Sequence, residues 1–226
     1  MKATFSEESI RIEEADLLID LSIAAIWLTP AIPQPVFSRK SVIANLQATV
    51  NSYLAIKEPD GLAVLLPHLQ GYSKKPALDE TLQPVWEKIQ KIRTALQQGE
   101  VKTLVKAFSA LLGQGRGLTP AGDDCITGVL LGLIRSSSQI FTPLEIYYLK
   151  ETILSEAFQR TTALSACQIE AAAEGSADLR LINALDGILT GSPESTACAI
   201  QLSDYGHSSG GDALVGFVAA LGNPVS

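Results

Sequence analysis

The sequence predicts an α+β fold in which helix predominates. A small N-terminal β element over 1–36 precedes a helical domain over 37–226 with two buried central helices. Three observations carry this. Strand-like stretches, the alternating Ser9–Glu13 and the apolar Leu17–Ala25, are confined to the start of the chain. Pro30, Pro33 and Pro35 then stop that pattern. Beyond them the spacing is helical, and Cys125–Ile134 and Ala213–Leu221 are apolar on nearly every side, as a helix packed all round must be. Strands first and helices afterwards is the order of an α+β chain.

Element by element, Ser38–Ile56 reads as a helix that Ser38 or Ser41 can cap. Pro59–Tyr72 reads as a short helix or a loop. Leu78–Gln98 carries an apolar stripe, Trp86, Ile89, Ile92 and Leu96, and ends at Gly99. Val101–Leu112, Thr142–Phe158, Thr162–Ala173 and Leu179–Leu189 are further helices. Ser192 and Pro193 look like an N-cap and first helical residue, and the final helix is expected from about Gly210 to Leu221.

Composition narrows the function. Hydrophobic residues make up 46% of the 226 and charged residues 18%, enough for a large core with a sparsely charged surface. A sparsely charged surface suggests a protein partner or an oligomer. The net charge is −7 with no basic patch, which argues against nucleic acid and against a polybasic membrane anchor. No stretch is apolar for long enough to span a bilayer. The opening MKATFSEESIRIEE lacks the apolar core of a signal peptide, and Cys125, Cys167 and Cys198 are few, scattered and read as buried free thiols. A cytoplasmic location is the expectation.

The densest chemical signal is Gly113-Gln114-Gly115-Arg116-Gly117-Leu118-Thr119-Pro120-Ala121-Gly122-Asp123-Asp124. Glycines let a backbone approach a ligand closely. Thr119 as N-cap and Pro120 as first residue would open a helix whose free N–H groups, beside Gly115, Arg116, Gly117 and Gly122, suit an anion. Asp123 and Asp124 then lead the apolar helix on different faces, so at least one must point into protein. A buried carboxylate there needs a partner or a task. The alternative is that both merely complement the helix dipole.

A second segment, Asp204-Tyr205-Gly206-His207-Ser208-Ser209-Gly210-Gly211-Asp212, has the same plan: glycines, a hydroxyl residue, Gly-Asp, then an apolar helix. Ser209 and Asp212 have the spacing of a capping box, which leaves His207, Ser208 and Gly210 unexplained. Asp124 precedes Gly128 by four residues and Asp212 precedes Gly216 by four, so two helices crossing at those glycines would join their N-termini. The candidate catalytic groups are therefore Asp123, Asp124 and Asp212. The hydroxyl cluster Thr161, Thr162 and Ser165 is a candidate wall of the same pocket, though Thr162 could equally cap a helix. Magnesium on the three aspartates is conceivable, because oxygen-only sites suit it. No nucleophile elbow or P-loop is present.

Three motifs resemble one bacterial family. Gly-Leu-Thr-Pro-Ala-Gly-Asp-Asp at 117–124, Thr-Thr-Ala-Leu-Ser at 161–165 and Gly-His-Ser-Ser-Gly-Gly-Asp at 206–212 are similar, in order, to those of the AllH-like family. One member is a subunit of oxamate carbamoyltransferase in purine-derived allantoin breakdown. The resemblance implies a transferase role within a complex. Its substrate would be a small anion such as carbamoyl phosphate, phosphate, oxamate or oxalurate, and it would have partner subunits. Apart from magnesium, no cofactor is expected. Two alternatives stand beside it. Gly-Asp-Asp and Gly-Asp-Ala-Leu are also similar to the magnesium-dependent ADP-ribosyl hydrolases, and a non-catalytic scaffold subunit would use the motifs only to hold helices together.

Overall fold

The computed structural model describes residues 2–25, 27–33, 38–70, 78, 80 and 82–222. The chain divides into two compact units, Met1–Pro30 and Ala31–Ser226. Pro35 and the expected end of the 59–72 stretch lie outside the described residues.

The first unit holds a three-stranded antiparallel sheet in the order β1 (Ala3–Phe5), β2 (Ser9–Ile12) and β3 (Leu17–Asp20), with Thr4 opposite Arg11 and Ile10 opposite Ile19. The expected Ser9–Glu13 strand is β2, closed by a single 3₁₀ turn that ends on Asp16 at φ 45°. β3 stops at Asp20, short of Ala25. The Asp20 carboxylate accepts the Ser22 N–H at 2.9 Å, a local turn that competes with the strand ladder.

The second unit is helical. Its elements are α1 (Arg39–Ile56), a 3₁₀ turn (Gly61–Leu65) running into α2 (Leu66–Leu69), α3 (Gln83–Gln98), α4 (Val101–Leu111) and α5 (Ala121–Arg135). Then come α6 (Pro143–Arg160), α7 (Ala163–Ala173), α8 (Leu179–Thr190), α9 (Ser195–Ser203) and α10 (Ser209–Leu221). The starts follow local chemistry. Ser38 accepts the Ser41 N–H, Thr142 and Glu145 form a reciprocal capping box, and Thr162 accepts the Ser165 N–H. Gly99 ends α3 in the left-handed region.

Several expectations are corrected. α3 begins at Gln83, not Leu78, with Pro84 in its first turn. α9 begins at Ser195, not Pro193: the Ser192 carbonyl is taken by the Thr190 hydroxyl, and the first helical bond runs from Cys198 N–H to Glu194. Cys125 and Cys198 are buried, but Cys167 is exposed. Thr119 does not cap α5. Pro120 occupies the cap position, so the helix starts one residue later than its Thr-Pro signature suggests, and the Thr119 hydroxyl is released for another partner.

α5 and α10 form the centre. Every residue from Gly122 to Leu133 and from Gly210 to Ala219 is buried. A Cβ built on Gly128 would overlap the Ala213 carbonyl oxygen, and one on Gly216 the Cys125 carbonyl oxygen. A Cβ on Gly132 would lie 2.8 Å from Ala220. The Thr119–Ser209 hydrogen bond at the helix starts and the Gly132–Ala220 contact farther along put the N-termini of α5 and α10 at one end, and the helices pass closest at Gly128 and Gly216. The far end of α5 is anchored by Arg135, which pairs with both oxygens of Asp186 at 2.8 and 2.7 Å and donates to the carbonyls of Gly175 and Ala31. With its donors met in this way, a buried guanidinium is tolerable. Among the described residues no helix is long and apolar enough to cross a membrane.

Candidate functional site

The paired N-termini of α5 and α10 place three carboxylates in the interior: Asp123, Asp124 and Asp212 are 1%, 2% and 0% exposed. Their environments differ. Asp123 uses both oxygens on the glycine loop and its neighbour. One accepts the Gly113 N–H at 2.8 Å, and the other accepts a short hydrogen bond from the Thr161 hydroxyl. This carboxylate pins the loop before α5 to the start of α7.

The rest of the 161–165 segment continues the clamp. Thr162 donates to the Leu118 carbonyl at 2.6 Å and caps α7 through the Ser165 N–H, while Ser165 donates to the same Leu118 carbonyl at 3.4 Å. Gly113 fits because a Cβ there would lie 2.7 Å from the Arg160 carbonyl oxygen, and its φ of 70° excludes most side chains. Thr161→Val should therefore leave the Asp123 oxygen unpaired and cost about 1–3 kcal/mol. Faster amide exchange at Gly113, with α10 still protected, would report that loss. Unchanged exchange would count against the clamp.

Asp124 is less satisfied. Its Oδ2 has no hydrogen-bond partner. Burial pushes its carboxyl up to about 7, and the Asp212 and Asp123 charges add to that, while hydrogen bonds from Ser209 and Thr119 hold it back. Those two hydroxyls also meet each other at 3.1 Å and bridge the two helix starts.

Asp212 has the matching place on α10. Its Oδ1 accepts the Leu62 N–H at 2.6 Å, and its Oδ2 has no partner. Burial pushes it up to about 7 as well. The Leu62 N–H, the Ser208 hydroxyl and the Lys57 ammonium oppose the shift, and the Asp60 charge adds to it. The expected capping box of Ser209 and Asp212 is absent: Ser208 holds the cap position with no side-chain cap bond. The reason is competition. Ser209 is drawn to Thr119 and Asp124, and Asp212 to Leu62.

The other expected residues fall at the rim. Gly115, Arg116 and Gly117 are exposed, and Gly117 has open space where a Cβ would stand. Gly122 is buried where the start of α5 meets the Leu111 carbonyl, and Gly210 where α10 meets the Leu202 carbonyl. His207 is exposed and faces Asp60 Oδ2 at 3.3 Å, an ion pair once the imidazole is protonated. Two clefts of the second unit lie at the other end of α10. One is lined by Leu46, Leu69 and Val218, and the other by Arg39, Arg93 and Ala220. Neither is lined by the three aspartates.

Sequence reasoning missed one wall, the Asp60-Gly61-Leu62 turn. Gly61 has φ 59°, and a Cβ there would stand 2.5 Å from Asp212 Oδ1. Asp-Gly is a strong turn signal, so the turn was legible, but its meeting with a residue 150 positions away was not. Lys57 also went unnoticed. It donates to the carbonyls of Ser203 and Gly206 and so steadies the loop that leads into α10. Among the described residues no group of three or more His, Cys, Asp or Glu side chains is arranged to hold a metal ion.

No curated protein and no solved structure matches the chain. A family model does, and its match runs through the glycine loop, α5, the 161–165 clamp and α10. The model is that of the family described as oxamate carbamoyltransferase subunit AllH, and residues 111–221, the segment that carries Asp123, Asp124 and Asp212, are similar to it.

Proposed function

We propose that the chain is a subunit of a carbamoyl-transferring complex and that the joined N-termini of α5 and α10 are its substrate site. The observation that carries this is the pair of buried carboxylates, Asp124 and Asp212, each with an unpartnered oxygen at a helix start. Leaving such an atom unpaired is costly, so a group that costs stability here is best explained by a task.

The chemistry fits a carbamoyl group moving between a phosphate oxygen and the nitrogen of oxamate. As the new C–N bond forms and the C–O bond to phosphate breaks, the oxamate nitrogen loses a proton, which a base must take. A carboxyl poised near 7, as burial makes Asp124 and Asp212, suits that exchange. The anionic end of the substrate would lie on the exposed Gly115–Gly117 backbone, near Arg116 and the positive end of α5. Asp123, fully occupied by Gly113 and Thr161, holds the loop in shape rather than moving protons. Partner subunits, a cytoplasmic location and a place in allantoin breakdown go with this reading. The exposed free thiol of Cys167 is compatible with a reducing compartment.

Calorimetric titration tests it. The full chain, with the subunits that co-purify with it, is titrated with phosphate, carbamoyl phosphate and oxamate, in magnesium and in chelator. Binding of carbamoyl phosphate or oxamate is expected, and Asp124→Asn should lower transfer at least a hundredfold, the scale of lost acid–base assistance. If none of the three ligands binds in either condition, the scaffold role is the better account. Binding that requires magnesium favours the hydrolase reading.

A further inference from the structure

We infer that the chain holds a second anion site, separate from the three aspartates. It is the cleft between the start of α1 and the ends of α3 and α10, where Arg39 and Arg93 bind a small dianion such as a phosphate group. Neither arginine belongs to the motifs that first marked the other site, and neither falls in the matched residues 111–221.

Three helices of the second unit meet at this cleft. Arg39, the first residue of α1, lines it on one side. Arg93, Leu96 and Gln97 line it from the second half of α3, and Arg93 and Gln97 are one turn apart on the same face of that helix. Ala219 and Ala220, near the end of α10, add apolar surface. The cleft encloses about 140 Å³. A single water needs roughly 15 Å³ of such space, so a ligand of several atoms fits. The cleft is also distinct from the first site. Asp212 stands at the start of α10 and Ala220 eight residues on, which is about 12 Å along the axis, so one helix has a site at each end.

Charge selects the ligand. Two guanidiniums line the cleft and no carboxylate does, although the chain as a whole carries −7. The cleft is therefore a positive spot on an acidic protein. Arg93 is only 7% exposed, and its burial pushes the guanidinium pKa down, because a charged group loses solvation when water is removed. An anion beside it offsets that loss. A guanidinium carries five N–H donors, so Arg93 can bond within the protein and still turn donors toward the cleft. Their planar fork matches two oxygens of a phosphate or carboxylate, which a lysine could not do. Arg39 is exposed at the rim, and the Gln97 side-chain amide supplies a further donor. Two positive charges at one small cleft favour a ligand with two negative charges over one with a single charge. They reject a cation outright, and a purely apolar ligand would strip water from both guanidiniums without replacing it.

Inorganic phosphate is the probe, titrated calorimetrically into the full chain. The glycine loop is expected to take phosphate as well, so the titration is run in an Arg116→Gln background, which weakens that contribution and leaves the cleft intact. There Arg39→Gln should lower phosphate affinity about tenfold, the scale of a lost charge-assisted contact. Formate, with one negative charge, should bind at least tenfold more weakly than phosphate. Arg93→Gln should act as strongly as Arg39→Gln. If burial of Arg93 makes that variant unstable, the exposed Arg39 carries the test by itself. Phosphate affinity within twofold with and without Arg39→Gln would mean that the arginines serve only the carbonyl ends of α3 and α10, and the site is overturned. Absence of any phosphate binding in the Arg116→Gln background overturns it as well. Formate that binds as tightly as phosphate would overturn the choice of a dianion. None of these outcomes bears on Asp124 and Asp212, whose ligands are carbamoyl phosphate and oxamate.

Discussion

Replacing Gly128 or Gly216 by valine should leave the chain largely unfolded, and alanine should already destabilise it by several kcal/mol. At an exposed helical position the opposite holds, because Gly→Ala gains roughly 1 kcal/mol of helix propensity. Here that gain is overwhelmed. A Cβ at Gly128 falls on the Ala213 carbonyl oxygen, and one at Gly216 on the Cys125 carbonyl oxygen, with Gly128 Cα 2.8 Å away. These neighbours are helix backbone, which cannot rotate aside as a side chain can, so α5 and α10 would have to separate along most of their buried length. Overpacking of a tight core costs about 1–3 kcal/mol when side chains can adjust, and more when only backbone can move. The two larger substitutions should exceed about 4 kcal/mol, a large fraction of the stability of an ordinary domain. Urea denaturation of Gly128→Ala beside an exposed-helix control would decide it. A stabilised Gly128→Ala would mean that the helices do not meet at these glycines.

Asp124→Asn and Asp212→Asn should stabilise the protein at pH 8 and do little at pH 4. The sign follows from proton linkage. Each carboxyl is raised from 3.8 in the unfolded chain to about 7 in the folded one. Between those values the folded state binds more protons. Stability from these groups is therefore full below about pH 4 and is lost as pH rises through about 7. Each carboxylate should contribute a loss of about 2–3 kcal/mol between pH 5 and pH 8. The two losses do not simply add, since the Asp212 charge is one cause of the Asp124 shift. Removing one carboxylate should partly relieve the other. Unfolding free energies of wild type, both single variants and the double variant at pH 4, 5, 7 and 8 would show this. A wild-type profile that rises from pH 5 to pH 8, with the asparagine variants parallel to it, would mean that the two carboxyls are not held up by burial. Substitutions that raise stability while abolishing transfer would mark these residues as retained for chemistry.

Local chemistry was enough to read most of the elements. Periodicity separated the early strands from the helices, Ser38, Thr142 and Thr162 marked helix starts, and the all-round apolar character of Cys125–Ile134 and Ala213–Leu221 marked two buried central helices. The repeated interval from Asp124 to Gly128 and from Asp212 to Gly216 even indicated where those helices touch, because only glycine leaves room for that approach. What the sequence could not decide is what each polar group bonds to, since that depends on residues brought together from far along the chain. Thr119 and Ser209 look like caps when read locally, yet they bond each other across 90 positions. Asp123 and Asp124 are adjacent and alike in sequence, but successive residues of a helix point about 100° apart. One therefore meets Gly113 and Thr161, and the other is left with an unpartnered oxygen. The Asp60-Gly61-Leu62 turn joins the site only because α10 and the turn before α2 pack together, and no local pattern encodes that arrangement.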